Sequence, residues 1–316
     1  MKKLIFSIIA LLLGGVVLAQ TPEKNKQTLR KIYTAFNTGN FADLDNLISK
    51  NSVDHALVAG MPSGLEGSKA MFTAFKEAYP DGMITVLDMV AEGDYVVAYT
   101  EFSGTNKGAF MGMAATGKSV KIKSMDLAKF DKMGKGIEHW GQDDNLAMMQ
   151  QLGVAPLAQP LPDLPSPAFA TGKGMKTTPE QNKMMSAAFF AAYSSHNIDK
   201  DLTLLAPDFK LWWNSESVAH GAGTYKMIGE TYLKAFPDVT WTPVIQIAEG
   251  DKVASYCLFS GTHTGELMGI PASNRKMNTQ GFVIDRYKDG KIAERIQIGD
   301  DLSVLQQIGA IPTPAK

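Results

Sequence analysis

The sequence predicts an α+β fold that is repeated twice along one chain. Two observations carry this prediction. The stretch AEGDYVVAYTEFSGTNKGAFMGMAATGK from Ala91 aligns with AEGDKVASYCLFSGTHTGELMGIPASNR from Ala248, 157 positions later. Within each copy, helical periodicity comes first and strand alternation follows, an order typical of helices covering one face of a bent antiparallel sheet. Similarity over a whole domain length indicates duplication, since repeat arrays have periods of about 20 to 50 residues.

The elements can be assigned in order within each copy. The first helix has apolar residues at helical spacing (PEKNKQTLRKIYTAFNTGN and PEQNKMMSAAFFAAYSSHN). A short helix, a brief strand (SVDHALV and FKLWWN) and a helix ending at YPD or FPD follow. Three or four long strands with hairpin signals then lead to a final helix. The endings EHWGQDDNLAMMQQLGV from Glu138 and ERIQIGDDLSVLQQIGA from Glu294 match after a one-residue slip.

The chain divides into four predicted segments. Residues 1–19 have the layout of a secretory signal peptide, with Lys2 and Lys3 before an apolar run that ends at a small-residue site, so we expect cleavage after Ala19. An uncleaved membrane anchor is the alternative interpretation. Residues 20–153 form domain 1 and residues 178–311 form domain 2. Residues 154–177 contain five prolines and read as a semi-rigid tether.

Composition narrows the class of protein. The chain has 31 basic and 32 acidic residues and no block of like charge, which argues against a nucleic-acid partner. A single cysteine, Cys257, excludes an intrachain disulfide. The five histidines show no metal-ligand spacing and no glycine loop suits a phosphate, so we expect neither metal nor cofactor. An exported protein of this kind fits the periplasm or the extracellular medium.

The motifs in both copies resemble the SnoaL-like polyketide cyclase family, also called ester cyclases, in the nuclear-transport-factor-2-like superfamily. The matching stretches are VDHALVAGMPSGLEG, AYPD, AEGD, SGTNKGAFMG and GIEHWGQDDNLAMMQQLG in copy one, and AFPD, AEGD, SGTHTGELMGIPA, KDGKIAE and DDLSVLQQIG in copy two. The resemblance implies two tandem cone-shaped α+β barrels. It also implies cofactor-free chemistry, in which an Asp removes a proton next to a carbonyl and the carbanion closes an aldol ring. That Asp falls on Asp144 and Asp300, while copy two lacks the His139–Trp140 pair.

Strand alternation gives a separate prediction of the site. In copy two, Glu294 and Asp300 share a face with three isoleucines, and the register puts Glu138, Trp140 and Asp144 on the same face of copy one. We expect this face to point into the cone, and His139 to lie on the other. The lysines around Asp126 mark the outer face of its strand, so Asp126 points inward, as does Asp285 by the same parity.

Each of these residues has a structural alternative. Asp144 and Asp300 directly precede the last helix, where Asp is a good N-cap. Asp126 could be a buried hydrogen-bonding residue. His55 could orient substrate or act as an acid, or be purely structural. Met111 and Trp212 are expected as core or pocket lining.

Two hypotheses follow from the sequence. In the first, copy one retains a pocket for a small apolar or carbonyl-containing molecule and performs acid/base chemistry through Asp144 or Asp126. In the second, the chain is a non-enzymatic carrier of an apolar ligand. In both, copy two serves as a pairing partner within the chain, and a homodimer is the alternative arrangement.

Overall fold

The computed structural model describes residues 21–56, 60–110, 112–155, 161–166 and 176–312. Domain 1 contains nine helices and strands together with a 3-10 turn at Phe41–Asp43: α1 (Pro22–Thr38), α2 (Leu44–Leu47), β1 (Ile48–Asp54), α3 (Gly64–Ala78), β2 (Met83–Glu92), β3 (Tyr95–Thr105), β4 (Ser119–Phe130), β5 (Gly136–Asp143) and α4 (Asn145–Leu152). Domain 2 repeats this order: α5 (Pro179–Ser194), α6 (Ile198–Thr203), β6 (Leu205–Trp213), α7 (Ala222–Ala235), β7 (Thr240–Glu249), β8 (Lys252–Thr262), β9 (Lys276–Lys288), β10 (Lys291–Gly299) and α8 (Asp301–Ile308). The predicted α+β fold in two copies is confirmed.

Each domain has one five-stranded sheet, with orders β1-β5-β4-β3-β2 and β6-β10-β9-β8-β7. Four strands of each sheet pair with one another in antiparallel fashion. The strand that comes first in each domain pairs in parallel, β1 with β5 in domain 1 and β6 with β10 in domain 2. The sheets are therefore mixed, whereas alternation predicted antiparallel ones. The parallel pairing brings the end of β1 beside the middle of β5, with Asp54 opposite His139.

Local sequence signals account for the helix that opens each domain. The Thr21 and Thr178 side chains accept hydrogen bonds from backbone amides of the first turn, and a proline follows each of them. Helix α1 ends at Gly39, which takes a left-handed conformation with φ of 73°. These caps fix where α1 and α5 begin to cover their sheets.

The two faces of each sheet pack against different partners. In domain 1, Val96, Ala98 and Ala128 form a core with Leu29 and Ile32 of α1. The alternate residues of the same strands point to the opposite face and meet the sheet of domain 2, forming an apolar cluster between the domains. Its buried members are Val90, Val97, Tyr99, Met125, Leu127, Ile247, Ala254, Tyr256, Phe282, Ile284 and Ile298. Both sheet faces are therefore apolar.

Reciprocal polar contacts frame this interface. Glu92 of domain 1 accepts a hydrogen bond from the Ala248 amide at 2.8 Å, and Glu249 of domain 2 accepts one from the Ala91 amide at 3.0 Å. Lys183 and Lys26 pair with the same two carboxylates. The described part of the linker, residues 161–166, also binds domain 2, since the Leu164 amide donates to Thr224 Oγ1 at 3.1 Å. This part of the predicted proline-rich linker therefore packs on domain 2.

Candidate active site

A cavity of about 530 Å³ lies in domain 1. It lies between α1, α3 and the sheet face that those helices cover. Aromatic side chains form much of its wall: Tyr33, Phe36, Phe72, Phe75, Phe102 and Phe110. A volume of this size falls within the usual range for small-molecule sites, and the apolar wall favours an aromatic or aliphatic ligand.

A chain of four polar side chains runs along one wall of the cavity. The Tyr33 hydroxyl donates to Asp126 Oδ2 at 2.8 Å. The other Asp126 oxygen lies 3.0 Å from His139 Nε2, and His139 Nδ1 lies 2.9 Å from Asp54 Oδ1. Since both ring nitrogens face carboxylates, the ring suits the protonated form in which both nitrogens donate.

The charge state of this chain follows from its contacts. Burial alone would lower the pKa of His139, but the hydrogen bonds with Asp126 and Asp54 outweigh burial and raise that pKa to about 10. Burial opposes ionisation of Asp54, yet the His139 contacts hold the pKa of Asp54 below its usual value. Burial and the nearby Asp126 carboxylate raise the pKa of Tyr33, which therefore remains a neutral donor.

Asp143 adds a third carboxyl to the same wall, beside Asp54 and Asp126. It lies opposite Ser124 in the β4–β5 ladder, two residues along β5 from Gly141, which in turn lies opposite Asp126. Burial raises the pKa of Asp143 to about 6, and the Asp126 charge contributes to this increase. A carboxyl with such a pKa exchanges protons readily near neutral pH, which makes Asp143 the best placed acid/base group of the cavity.

Asp126 points inward as predicted, but Asp144 does not line the cavity. Asp144 Oδ1 accepts a hydrogen bond from the Ala147 amide at 3.0 Å as the N-cap of α4, and Oδ2 accepts one from the Ser215 amide of domain 2 at 2.9 Å. Both oxygens are thus engaged in structure. The contacts of Asp144 match its alternative interpretation as a helix cap. Asp143, the next carboxyl in the sequence, lines the cavity instead.

The inward face of β5 was predicted wrongly. His139, Gly141 and Asp143 face the cavity, while the Trp140 ring packs in the interdomain cluster near Tyr256. The error arose because both faces of this strand contact apolar surfaces. In domain 2, a bulge between Ile292 and Glu294 also changes the parity on which the prediction rested.

The remaining domain 1 candidates lie at the edge of the cavity or outside it. His55 stacks on Trp140 with ring centres 4.5 Å apart, and Glu138 lies 3.4 Å from the His55 ring and 3.0 Å from Lys129. Glu138 borders the cavity, but its carboxylate is held by these two neighbours. His55 therefore packs against Trp140 at the domain boundary. Met111 lies outside the described residues.

Domain 2 lacks the polar chain. At the positions equivalent to Tyr33, Asp54, Asp126 and His139, it has Phe190, Leu211, Val283 and Arg295. Arg295 and Asp285 form a fully buried ion pair at 2.7 Å, and the Arg295 guanidinium lies 3.8 Å from the centre of the Phe189 ring. Asp285 therefore contacts Arg295, whereas the sequence predicted a ligand contact for it.

The other domain 2 candidates have separate roles. Trp212 donates to Glu294 at 2.8 Å, and Glu294 also accepts from Arg286 at 3.1 Å. Neither residue lines the large cavity of domain 1 or the small cavity of domain 2. Asp300 caps α8 through the Ser303 amide. Asp300 also borders two cavities, the large one of domain 1 and a smaller one of about 60 Å³ in domain 2.

The sequence analysis missed Tyr33, Asp54 and Asp143 and set His139 aside. The Asp54–His55 pair drew attention to His55, although the parallel β1–β5 pairing brings Asp54, and not His55, into contact with His139. No group of His, Cys, Asp or Glu that could hold a metal occurs in the part of the chain that the structure describes. No helix among those residues is long and apolar enough to cross a bilayer.

Comparison with known proteins identifies the family. The model of the SnoaL-like polyketide cyclase family matches residues 26–152 and again residues 183–308, and the chain therefore belongs to this family with two tandem copies. The chain is similar to TsrD from Streptomyces laurentii, with 26% identity over 43% of this chain and 98% of that one and a TM-score of 0.40. It is also similar to a SnoaL-like polyketide cyclase from Agrobacterium tumefaciens, with 22% identity over 41% of this chain and 98% of that one and a TM-score of 0.36. The comparison with curated proteins gave no match.

Proposed function

We propose that domain 1 binds a small, largely apolar carbonyl compound and removes a proton next to the carbonyl without a cofactor, with Asp143 as the general base. The Asp143 carboxyl on the wall of an aromatic cavity carries this proposal, because its pKa of about 6 suits proton transfer near neutral pH. Asp126 is the less suitable base, since each of its oxygens already accepts a hydrogen bond, from Tyr33 or from His139.

The polar chain supplies the complementary donors. As the C–H bond breaks, its proton passes to Asp143 and the electron pair moves toward the carbonyl oxygen. Tyr33 is a neutral donor on the same wall, and His139 holds a proton between two carboxylates. Either group can stabilise the developing enolate oxygen by exchanging its bond to Asp126 for one to the substrate.

The enolate then has a route to a cyclic product. Its carbon attacks a second carbonyl of the same molecule and forms a C–C bond, and the resulting alkoxide takes the proton back from Asp143. This is the intramolecular aldol chemistry of a cyclase, and return of the proton to another carbon would make the reaction an isomerisation. Domain 2, which lacks the polar chain, supports domain 1 through the shared apolar interface.

The test is deuterium exchange at the carbon next to a carbonyl. An aryl β-keto ester in D₂O is followed by proton NMR against the buffer rate, with wild type, Asp143→Asn and Asp144→Asn. We expect wild type to accelerate exchange, Asp143→Asn to lose about 10² to 10⁴ of the acceleration, and Asp144→Asn to retain it, since Asn also caps helices.

Asp143→Asn and Asp144→Asn make the same chemical change at adjacent residues, so only the assigned base should distinguish them. Equal losses in both variants would contradict the assignment of the base. If wild type bound the ester tightly but did not accelerate exchange, the catalytic proposal would be wrong and the carrier function would be favoured.

We also propose that the protein is exported, on the basis of the N-terminal sequence pattern. Helix α1, the first described element, begins at Pro22 with its cap at Thr21, shortly after the expected cleavage point. N-terminal sequencing of protein from the culture medium and periplasmic fraction of the producing cell tests this. A start at Gln20 is expected, and an intact Met1 in the cell membrane would contradict it.

A further inference from the structure

One backbone carbonyl of β5 is held by a side chain of domain 2. The ladder between β1 and β5 ends at Asp54 and His139, and the His55 amide donates to the His139 carbonyl at 2.8 Å. Carbonyls two residues apart on a strand point to the same side, so the next one along this edge belongs to Gly141. The Gln280 side chain donates to it at 3.1 Å. Domain 2 therefore continues the row of hydrogen bonds beyond the end of β1.

Domain 2 makes the corresponding contact with its own backbone. Gln297 corresponds to Gly141, and its carbonyl accepts a hydrogen bond from the Asn214 amide at 2.8 Å. Strand β6 extends far enough for this contact, because Trp213 still pairs with Gln297 in the parallel ladder. In domain 1, one side chain from the other domain takes the place of this strand extension.

The Gln280 amide is fixed at both ends. The Tyr256 hydroxyl donates to its oxygen at 2.8 Å, which leaves its nitrogen facing Gly141. The equivalent side chain of domain 1, Lys123, pairs with Glu101 of its own domain. The side chain at this strand position thus bonds to domain 1 in both copies, which makes the contact asymmetric.

Gly141 connects this contact with the polar chain of the cavity. A β-carbon at Gly141 would lie 3.2 Å from both Asp126 Oδ1 and His139 Cε1. The backbone at Gly141 therefore packs against the place where these two side chains meet, with Asp126 Oδ1 3.0 Å from His139 Nε2. Asp143, the proposed base, lies two residues further along β5 and faces the same cavity. A displacement of β5 at Gly141 would alter the site on both sides.

We infer that Gln280 of domain 2 is a positioning residue for the domain 1 site, where its hydrogen bond to Gly141 holds β5 so that His139 meets Asp126. The inference rests on the proposed function for the part that these side chains play in the reaction. It gives domain 2 a role in the site beyond apolar packing.

The test follows the two ring N–H protons of His139 by NMR of protein labelled with 15N-histidine, with His139→Gln to assign the signals. Asp126 holds the Nε2 proton and Asp54 holds the Nδ1 proton. Gln280→Met keeps the length of the side chain and removes the donor. We expect its Nε2 proton to exchange with water about tenfold faster than in wild type, because the hydrogen bond to Asp126 is weakened. The Nδ1 proton should change much less, since Asp54 lies on β1.

Gln246→Met is the matched control. The Gln246 amide donates to two serine hydroxyls of domain 2, so the same substitution removes hydrogen bonds from that domain and leaves the Gly141 contact in place. Both N–H protons should exchange as in wild type. Tyr256→Phe removes the hydroxyl that orients the Gln280 amide, so it should accelerate Nε2 exchange less strongly and provides the test if Gln280→Met does not fold.

Three outcomes would overturn the inference. One is an unchanged Nε2 proton in Gln280→Met, or in Tyr256→Phe where only that variant folds. Another is an equal acceleration of both ring protons, which would indicate general loosening of the fold. The third is an acceleration in Gln246→Met as large as that in Gln280→Met.

Catalysis gives a second readout. In the deuterium-exchange reaction, Gln280→Met should lower the rate at saturating ester about tenfold and leave KM unchanged, because the residue acts on the geometry of the site and not on ligand binding. The NMR measurement needs no turnover, so the two proposals can fail separately. A selective change at Nε2, without any ester exchange by wild type, would remove the catalytic proposal and leave this inference standing. Ester exchange that depends on Asp143, with an unchanged Nε2 proton in Gln280→Met, would have the opposite meaning.

Discussion

Arg295 in domain 2 occupies the strand position that His139 occupies in domain 1. In the parallel ladders, His139 lies opposite Asp54 and Arg295 lies opposite Leu211. His139 borders an open cavity between two carboxylates, whereas the Arg295 side chain is 0% exposed and bonds Asp285 through two nitrogens at 2.7 and 2.8 Å. The same fold position thus borders an open cavity in one domain and carries a fully buried ion pair in the other.

Breaking the Arg295–Asp285 pair should destabilise domain 2 strongly. Arg295→Met leaves a buried carboxylate without its partner, and we expect a loss of about 3 to 5 kcal/mol in the free energy of unfolding. The double variant Arg295→Met, Asp285→Leu removes both charges and should recover most of that loss. Urea unfolding followed by tryptophan fluorescence measures both, and equal losses in the single and double variants would contradict the explanation.

The His139 contacts predict a pH-dependent stability. The folded-state pKa of about 10 lies above the reference value of 6.5, so the stabilisation from this proton is complete below pH 6.5 and disappears as pH rises through 10. We expect the advantage of wild type over His139→Gln in the free energy of unfolding to fall by about 2 kcal/mol between pH 6 and 10, because partial exposure of the ring weakens the effect. Urea titrations at pH 6, 8 and 10 check this.

Asp54→Asn serves as the control for the His139 prediction. It removes one of the two carboxylates that hold the proton, so the fall in stability between pH 6 and 10 should become smaller. A constant difference between wild type and His139→Gln at every pH would show that the ring contributes only packing.

The sequence predicted the fold class and the order of the elements but not the parallel pairing of β1 with β5, and it predicted the site only in part. Helix caps, hairpin signals and the duplicated endings are local, and they predicted the order of the elements. The inward position of Asp126 was also predictable, because lysines mark the other face of that part of β4. The face of β5 was not, since Trp140 lies in an apolar interface while His139 and Asp143 line an apolar cavity. Alternation alone cannot distinguish two apolar surroundings.

The ionised Asp143 carboxylate should lower the free energy of unfolding at pH values above its folded-state pKa. Its folded-state pKa of about 6 lies above the reference value of 3.8, so the folded state holds more protons than the unfolded state between these values. Stability therefore falls as pH rises through this window. Asp143→Asn should raise the melting temperature at pH 8, by an amount equivalent to about 1 to 2 kcal/mol, and change it little at pH 4.

Scanning calorimetry at the two pH values separates Asp143 from its neighbour. Asp144→Asn should lower the melting temperature at pH 8, because the amide can no longer accept both backbone hydrogen bonds equally well. A stabilisation by Asp143→Asn that is equal at pH 4 and pH 8 would contradict the titration account.

The apolar cluster between the sheets predicts that the domains stay together without a covalent link. Cleavage at a protease site introduced within residues 167–175 should leave both fragments in one complex of the mass of the uncut chain. This complex should persist in 1 M salt, since burial of Leu127, Phe282 and Ile284 is insensitive to screening.

Ala254, which is 0% exposed in this cluster, provides the disrupting variant. Ala254→Arg would place a charge between the sheets and should release the fragments, as measured by size-exclusion chromatography with light scattering. Dissociation of the cut wild-type chain by salt alone would mean that the ion pairs of Lys26 and Lys183, and not the apolar cluster, hold the domains together.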